Sequence, residues 1–239
     1  MRLGMMQPYF FPYLGYFGLI HAADEWVVFD TAQYIRRGWV NRNRVLADGR
    51  SPWKYARVPI RRCPVGTAIQ CVQIDDAQDW RTEILNNLDA YRRRKAPYFE
   101  STRQFLEDTL ASSCVSLSEL LLHCLQACCC RLNLPFRHRL FSELPLTLPD
   151  DVAPGEWALE TARQLRADRY VNAPGGRDLF DSQQFAQAEV ELSFLQPSLK
   201  PYSQGQADFE SGLSIIDAFM WNSVDDVREM VADYRLEAA

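Results

Sequence analysis

An apolar run, an aromatic loop, a helical stretch and a second apolar run follow one another within the first thirty residues, and this order restricts the fold most. Leu3-Gly4-Met5-Met6-Gln7 ends at Pro8 and reads as a buried first strand. From Pro12 to Ala23, the residues Leu14, Phe17, Leu19, Ile20 and Ala23 recur at helical spacing, with Pro12 suited to the first helical position. Asp24-Glu25 lead into Trp26-Val27-Val28-Phe29, a second buried strand that stops at Asp30. A strand, helix and strand so closely spaced imply two parallel strands joined by a right-handed crossover. Parallel sheets need cover on both faces, so an α/β architecture is predicted.

The rest of the chain fits that frame. Arg42–Leu46 and Trp53–Ile60 read as a hairpin turning at Asp48-Gly49, and Ala68–Ile74 alternates like a strand. Trp80, Ile84, Leu88 and Tyr91 line one face of a helix over 80–93. A second helix opens at Ala96 and runs through Leu110. A third covers 116–133, with Ser116 or Ser118 as N-cap and Glu119 as a capping-box partner. Residues 80–134 therefore read as a helical insertion. Beyond it come a strand and Pro-marked loop over 136–148, a helix over 156–166, a strand at 169–172 and a turn at Ala173-Pro174-Gly175-Gly176. A short helix capped by Asp181 or Ser182, a strand at 190–194 and a largely helical segment from Leu213 to Arg235 complete the chain. The acidic pairs Asp150-Asp151 and Asp225-Asp226 sit at expected helix starts, where the dipole favours them without a metal. One domain over residues 1–239 is expected, since 239 residues with 47% hydrophobic content can bury a sizeable core.

The formal net charge of −5 argues against a protein that coats nucleic acid. No apolar run approaches the length of a membrane span, and Met1-Arg2 leads straight into the first strand, so a cytoplasmic protein with reduced thiols is expected. Cys128, Cys129 and Cys130 are consecutive on a helix, so their side chains fan apart and cannot share one metal. No metal ligand set is predicted.

Two segments carry the chemistry. The stretch from Gln7 to Phe17 places Tyr9, Phe10, Phe11, Tyr13 and Tyr16 where the first strand meets the first helix, the position at which open parallel sheets bind ligands. Gln7, Tyr9, Tyr13, Gly15 and Tyr16 are its candidate binding residues, and core filling is the competing reading. The second segment runs from Asp30 to Arg44. Arg36, Arg37, Arg42 and Arg44 can fork onto phosphate or carboxylate, with Tyr34 and Trp39 interleaved and Asn41 able to donate and accept. A pocket for a diphosphate or a phosphopantetheine is the sharper reading, and a solvated basic loop the plainer one. Tyr202 and Ser214 are further candidate contacts, Ser214 being equally suited to capping a helix. His21 lies nearest of the three histidines to the proposed site.

The start of the first helix is also similar to that of the nucleotidyltransferases and class I synthetases, whose His-x-Gly-His falls where Tyr13-Leu14-Gly15-Tyr16 stands here. The similarity implies a Rossmann-like (nucleotidyltransferase-like, HUP-like), mostly parallel sheet with the helical insertion. The absence of both imidazoles argues against adenylyl transfer. A longer resemblance covers nearly the whole chain. The segment Gln7–Phe17, Asp30 with Gln33-Tyr34, and Arg36–Arg44 resemble the WbqC-like family. So do Lys95-Ala96-Pro97-Tyr98-Phe99, Tyr170-Val171-Asn172 with Gly175-Gly176, and Tyr202-x-Gln204 ahead of Leu213–Asp217. One departure is Phe180, where the family pattern leads one to expect tyrosine.

The resemblance implies work beside amino-sugar enzymes, and sometimes carrier proteins, in O-antigen and related polysaccharide assembly. The expected activity is acyl or aminoacyl transfer. The donor is a carrier-protein or coenzyme A thioester, and the acceptor an amine of a nucleotide-linked amino sugar. Such a reaction needs orientation, an oxyanion donor and a proton acceptor. The expected assignments are the arginines for phosphate, Tyr13, Tyr16 and Trp39 for the acceptor, Asn41 for the oxyanion, and Asp30 or His21 for the amine proton. No tightly bound cofactor is expected, the phosphopantetheine thioester being a co-substrate. An acyl or peptidyl carrier protein is the expected partner, with no nucleic acid and no membrane. Two alternatives stay open, a nucleotidyltransferase-like nucleotide-binding enzyme and a non-enzymatic module that docks an acidic carrier protein.

Overall fold

The computed structural model describes residues 1–148, 152–205 and 208–239. Asp150-Asp151, expected at a helix start, lies outside them. Strand β1 (Arg2–Met6), helix α1 (Leu14–Ala22) and strand β2 (Glu25–Val28) form the expected unit, and β1 pairs with β2 in parallel. Alternation assigns the two faces of β1. Leu3 and Met5 join a core beneath one face of the sheet, while Gly4 lies under the Trp26 ring on the other. A Cβ on Gly4 would come within 2.7 Å of that ring, so the close fit of the two strands' side chains excludes any larger residue there.

After β2 the chain leaves the sheet. It forms an antiparallel hairpin, β3 (Arg42–Leu46) and β4 (Trp53–Arg57), then helices α2 (Trp80–Asn86), α3 (Asp89–Arg93), α4 (Phe99–Leu110) and α5 (Leu117–Arg131). It returns as β5 (His138–Leu140), parallel to β2. Helix α6 (Glu156–Gln164) leads to β6 (Arg169–Asn172), which pairs with the other edge of β1. Helix α7 (Ser182–Gln187), strand β7 (Glu191–Pro197), helices α8 (Ile215–Trp221) and α9 (Val224–Ala232) and strand β8 (Tyr234–Ala238) complete the fold. The sheet order is β5-β2-β1-β6-β7-β8, parallel except for β8. Numbered by appearance within that sheet, this is 3-2-1-4-5-6, the Rossmann order, and the direction of winding reverses between β1 and β6. The expected α/β class, mostly parallel sheet and helical insertion are all observed.

Several local expectations give way. Residues 68–74 form no strand; a 3-10 turn at Ile69–Cys71 is held by single bridges of Ala68 to Gln33 and Ile74 to Ile60. Ile69, Val72 and Ile74 are all buried, and the two-residue spacing of Val72 and Ile74 is what resembled a strand. The helix over 80–93 breaks at Asn87-Leu88, although Trp80, Ile84, Leu88 and Tyr91 are all buried as expected. Pro12 precedes the α1 cap residue Tyr13, and its carbonyl accepts from Ile215 N instead. Ser116 occupies the α5 N-cap position without a side-chain bond, so no capping box with Glu119 forms. The last segment is helical only to Ala232, because Tyr234–Ala238 pairs antiparallel with β7. Asp181 caps α7 and Asp225-Asp226 fall in the first turn of α9, both as expected, and Ser223, which sequence reasoning did not single out, caps α9 in a box with Asp226. Among the described residues, no helix is long and apolar enough to cross a membrane.

Candidate functional site

The aromatic loop after β1 is mostly core. Phe10, Phe11 and Tyr16 are buried, and the Tyr16 hydroxyl donates to the Gln7 carbonyl at 2.9 Å. Tyr9 leans on Tyr16, with ring centroids 5.7 Å apart. Tyr13 folds back over Gly15, where a Cβ would meet its ring at 2.5 Å, so Gly15 is required by this ring rather than by a ligand's approach. The loop is stitched to the hairpin. Phe10 N donates to the Val40 carbonyl, and Asn43 Nδ2 donates to the carbonyls of Phe10 (3.2 Å) and Phe11 (2.9 Å). Ser214 caps α8 through Ile216 N and donates from Oγ to the Phe11 carbonyl at 2.6 Å. Phe11 itself sits at φ +39, a left-handed conformation these bonds must hold.

The two segments thus touch, but the hollow beside them is lined by the arginine segment and the stretch 57–63, with no residue of the aromatic loop. A cleft of about 620 Å³ is lined by Tyr34, Arg36, Arg37, Asn41, Arg42, Arg57, Pro59, Ile60, Arg61, Arg62 and Cys63. Six of these are arginines, and no carboxylate or imidazole is among them. In a chain of net charge −5 the cleft is a local concentration of positive charge. Tyr34 and Asn41 brace it from inside. The Tyr34 hydroxyl donates to Asn41 Oδ1 at 2.9 Å, and Asn41 Nδ2 donates to the Val58 carbonyl at 2.7 Å. Burial raises the Tyr34 phenol and keeps it protonated, while Arg42, Arg36 and Arg57 pull the other way. Arg36 donates to the Cys63 carbonyl, Arg61 to Gln73 Oε1, and Arg42 to the carbonyls of Gly38 and Arg37. Each guanidinium has five N–H donors, so all three retain donors for an anion.

Of the sequence candidates, Tyr34, Arg36, Arg37, Asn41 and Arg42 come together in this cleft. Trp39 and Arg44 lie outside it. Arg44 is committed to the carbonyls of Ser211 and Gly212 and sits 3.7 Å from Glu210. Gln7, Tyr9, Tyr13, Gly15 and Tyr16 stay with the aromatic loop. Asp30 is buried, its carboxylate accepting from Ser142 N (3.0 Å) and Oγ (2.6 Å), which ties the end of β2 to the end of β5. His21 is in the last turn of α1, its Nδ1 3.0 Å from the Tyr234 hydroxyl. Arg57, Arg61, Arg62 and Cys63 were missed by sequence reasoning. The Arg61-Arg62-Cys63 run directly after the hairpin was the available signal.

Tyr202 belongs to a second, buried network. Its hydroxyl donates to Asp217 Oδ2 at 2.5 Å, Gln204 Nε2 donates to the same oxygen at 2.8 Å, and Gln204 also holds both backbone groups of Glu210. Burial pushes the Asp217 carboxyl up to about 6, against the pull of the groups around it. A folded value above the unfolded one means the native state binds the proton more tightly. The stability this group contributes is therefore complete below about pH 4 and lost as pH rises through about 6. Between about pH 5 and pH 7 the loss amounts to about 1 kcal/mol. Asp217→Asn keeps the acceptor and removes the titration. Melting temperatures of the two proteins across this range should diverge, the wild type falling more steeply; parallel curves would contradict the assignment.

Among the cysteines, Cys124, Cys128 and Cys129 are buried, and burial pushes all three thiols up, which makes them inert packing. Cys63 and Cys71 are both free thiols.

Comparison with known proteins agrees with the order of these motifs. The model of the WbqC-like protein family matches residues 7–229. A curated relative, "Uncharacterized protein Rv1507c" of Mycobacterium tuberculosis (strain ATCC 25618 / H37Rv), is 26% identical over 219 residues, covering 90% of this chain and 91% of its own. No solved structure matches the chain. Because the match runs from the aromatic loop through the arginine cleft and into α9, the chain belongs to the WbqC-like protein family.

Proposed function

We propose that this protein is a transferase that holds a phosphate-bearing small molecule in the arginine cleft. It moves an acyl or aminoacyl group from a carrier-protein or coenzyme A thioester to an amine of a nucleotide-linked amino sugar or similar acceptor. The observation that carries the reading is the cleft itself, six arginines around about 620 Å³ with no carboxylate among the lining residues. Arginine forks match phosphate oxygens, and several together suit a diphosphate or the phosphate of phosphopantetheine. The amine nitrogen attacks the thioester carbonyl, the C–N bond forms as the C–S bond breaks, and the amine's proton leaves with the sulfur as a thiol. The cleft contributes orientation and charge stabilisation, which need no covalent enzyme intermediate. Asn41 Oδ1 accepts from Tyr34 and one Nδ2 hydrogen goes to the Val58 carbonyl, so the amide holds Tyr34 in place and keeps a second N–H to offer the oxyanion.

A second reading, a nucleotide-binding enzyme of nucleotidyltransferase kind, draws on the 3-2-1-4-5-6 strand order. Both are tested by calorimetric titration with pyrophosphate, coenzyme A, nucleotide sugars and ATP, joined to mass spectrometry of mixtures of thioesters with amino sugars. Binding of the phosphorylated ligands together with amide formation supports the transferase. Binding of ATP with pyrophosphate release and no amide supports the second reading. Absence of any phosphate binding removes both.

A further inference from the structure

The hairpin's outward face lies next to the cleft and carries an alternation of aromatic and cationic side chains that phosphate binding alone does not require. Register places Arg42 and Arg44 of β3 on the same face as Tyr55 and Trp53 of β4. The Arg42 guanidinium lies 4.0 Å from the Tyr55 ring centroid. Arg44 lies between two indoles, 5.2 Å from Trp53 and 5.7 Å from Trp39. Trp39 is 6.4 Å from Tyr55, yet the ring stays 43% exposed. Its position is fixed from behind, since Arg42 Nε donates to the Gly38 carbonyl at 3.1 Å. Arg42 thus belongs to both structures, lining the cleft and anchoring the loop that presents Trp39.

A planar ring backed by the Arg44 guanidinium and left partly exposed offers a stacking surface for another planar ring. We propose that Trp39 is a base-stacking platform, so that the ligand of the cleft is a nucleoside 5′-diphosphate group rather than a bare phosphate. This rests on the phosphate-binding reading of the cleft. A nucleotide sugar and coenzyme A both carry the group, and either places a base beyond its phosphates. Stacking on an aromatic side chain accounts for about 1–3 kcal/mol per base, equivalent to about 5- to 150-fold in affinity.

The test compares pyrophosphate, UDP, ADP, a UDP-sugar, coenzyme A and phosphopantetheine as calorimetric probes of the full chain. The variants are Trp39→Ala and, to keep an aromatic face, Trp39→Tyr. Nucleoside diphosphates should bind at least about fivefold tighter than pyrophosphate. Trp39→Ala should erase that difference while leaving pyrophosphate affinity unchanged, with only a small fall in melting temperature from the lost contacts with Arg44 and Tyr55, and Trp39→Tyr should restore most of it. A preference for uridine over adenine ligands identifies the nucleotide sugar as the source, and the reverse identifies coenzyme A. Equal affinity for pyrophosphate and the nucleoside diphosphates, or equal weakening of both by Trp39→Ala, overturns the platform and leaves the phosphate cleft standing. No binding of any probe overturns both.

Discussion

Replacing Arg37 and Arg62 together by alanine is expected to weaken pyrophosphate binding by about 100-fold or more, with the melting temperature essentially unchanged. Both side chains are exposed at the cleft, and among the described residues neither guanidinium makes a hydrogen bond or ion pair that the fold would lose. Hydrogen bonds to charged groups contribute about 1.5–3 kcal/mol each, so two lost contacts amount to about 3–6 kcal/mol in binding. That range corresponds to about two to four orders of magnitude in Kd. Raising the salt concentration should weaken the wild type more than the variant, because fewer charge contacts remain to be screened. Arg42→Ala cannot make the same separation. It removes two bonds to loop carbonyls and the contact with Tyr55, so stability and affinity fall together. Calorimetry paired with thermal melting checks the double variant, and a melting temperature that collapses with affinity retained would mark these arginines as structural.

The second large effect is expected at Asn43. Asn43→Leu should destabilise the protein by about 2–4 kcal/mol, lowering the melting temperature by roughly 5–15 °C for a chain of this size. The amide donates to the Phe10 and Phe11 carbonyls and accepts from Arg44 N, all across a buried joint. Leucine matches the shape but leaves the Phe10 carbonyl and the Arg44 amide without this partner. Phe11 at φ +39 then loses one of the contacts that hold it. Denaturant unfolding measures the loss, and a change below about 0.5 kcal/mol would mean that the aromatic loop is held by packing alone.

The same joint explains what was legible in the sequence. The order of β1, α1 and β2 could be read because apolar runs and helical spacing are local signals, and the parallel pairing followed from them. The cationic character of Arg36, Arg37 and Arg42 was visible for the same reason, since it is carried by residue type alone. Which side chains face one hollow was not visible. Tyr9, Tyr13 and Tyr16 resembled a binding loop because a dense aromatic segment has the same composition whether it stacks on a ligand or on itself. Arg44 has the residue type of Arg42 and shares its face of the hairpin, but its guanidinium is taken by the carbonyls at 211 and 212. Arg57, Arg61 and Arg62 join the cleft through the return strand of the hairpin, which sets Arg57 opposite Arg42, and the loop after it; the Arg61-Arg62 run was visible, but its placement against Arg36 and Arg37 was not. Strand β8 escaped notice because five residues after a helix carry little periodicity, and its partner β7 supplies the pairing. Asp30 has the residue type of a catalytic base, but Ser142, more than a hundred positions later, claims its carboxylate.

The most direct measurement is a crystal structure of the full chain soaked with pyrophosphate. The predicted result is density for the anion among Arg36, Arg37, Arg42, Arg61 and Arg62, within hydrogen-bonding distance of at least two guanidinium groups. Density instead at the start of α1, beside Tyr13 and Gly15 where β1 and β6 part, would contradict the assignment and return the site to the switch point of the sheet.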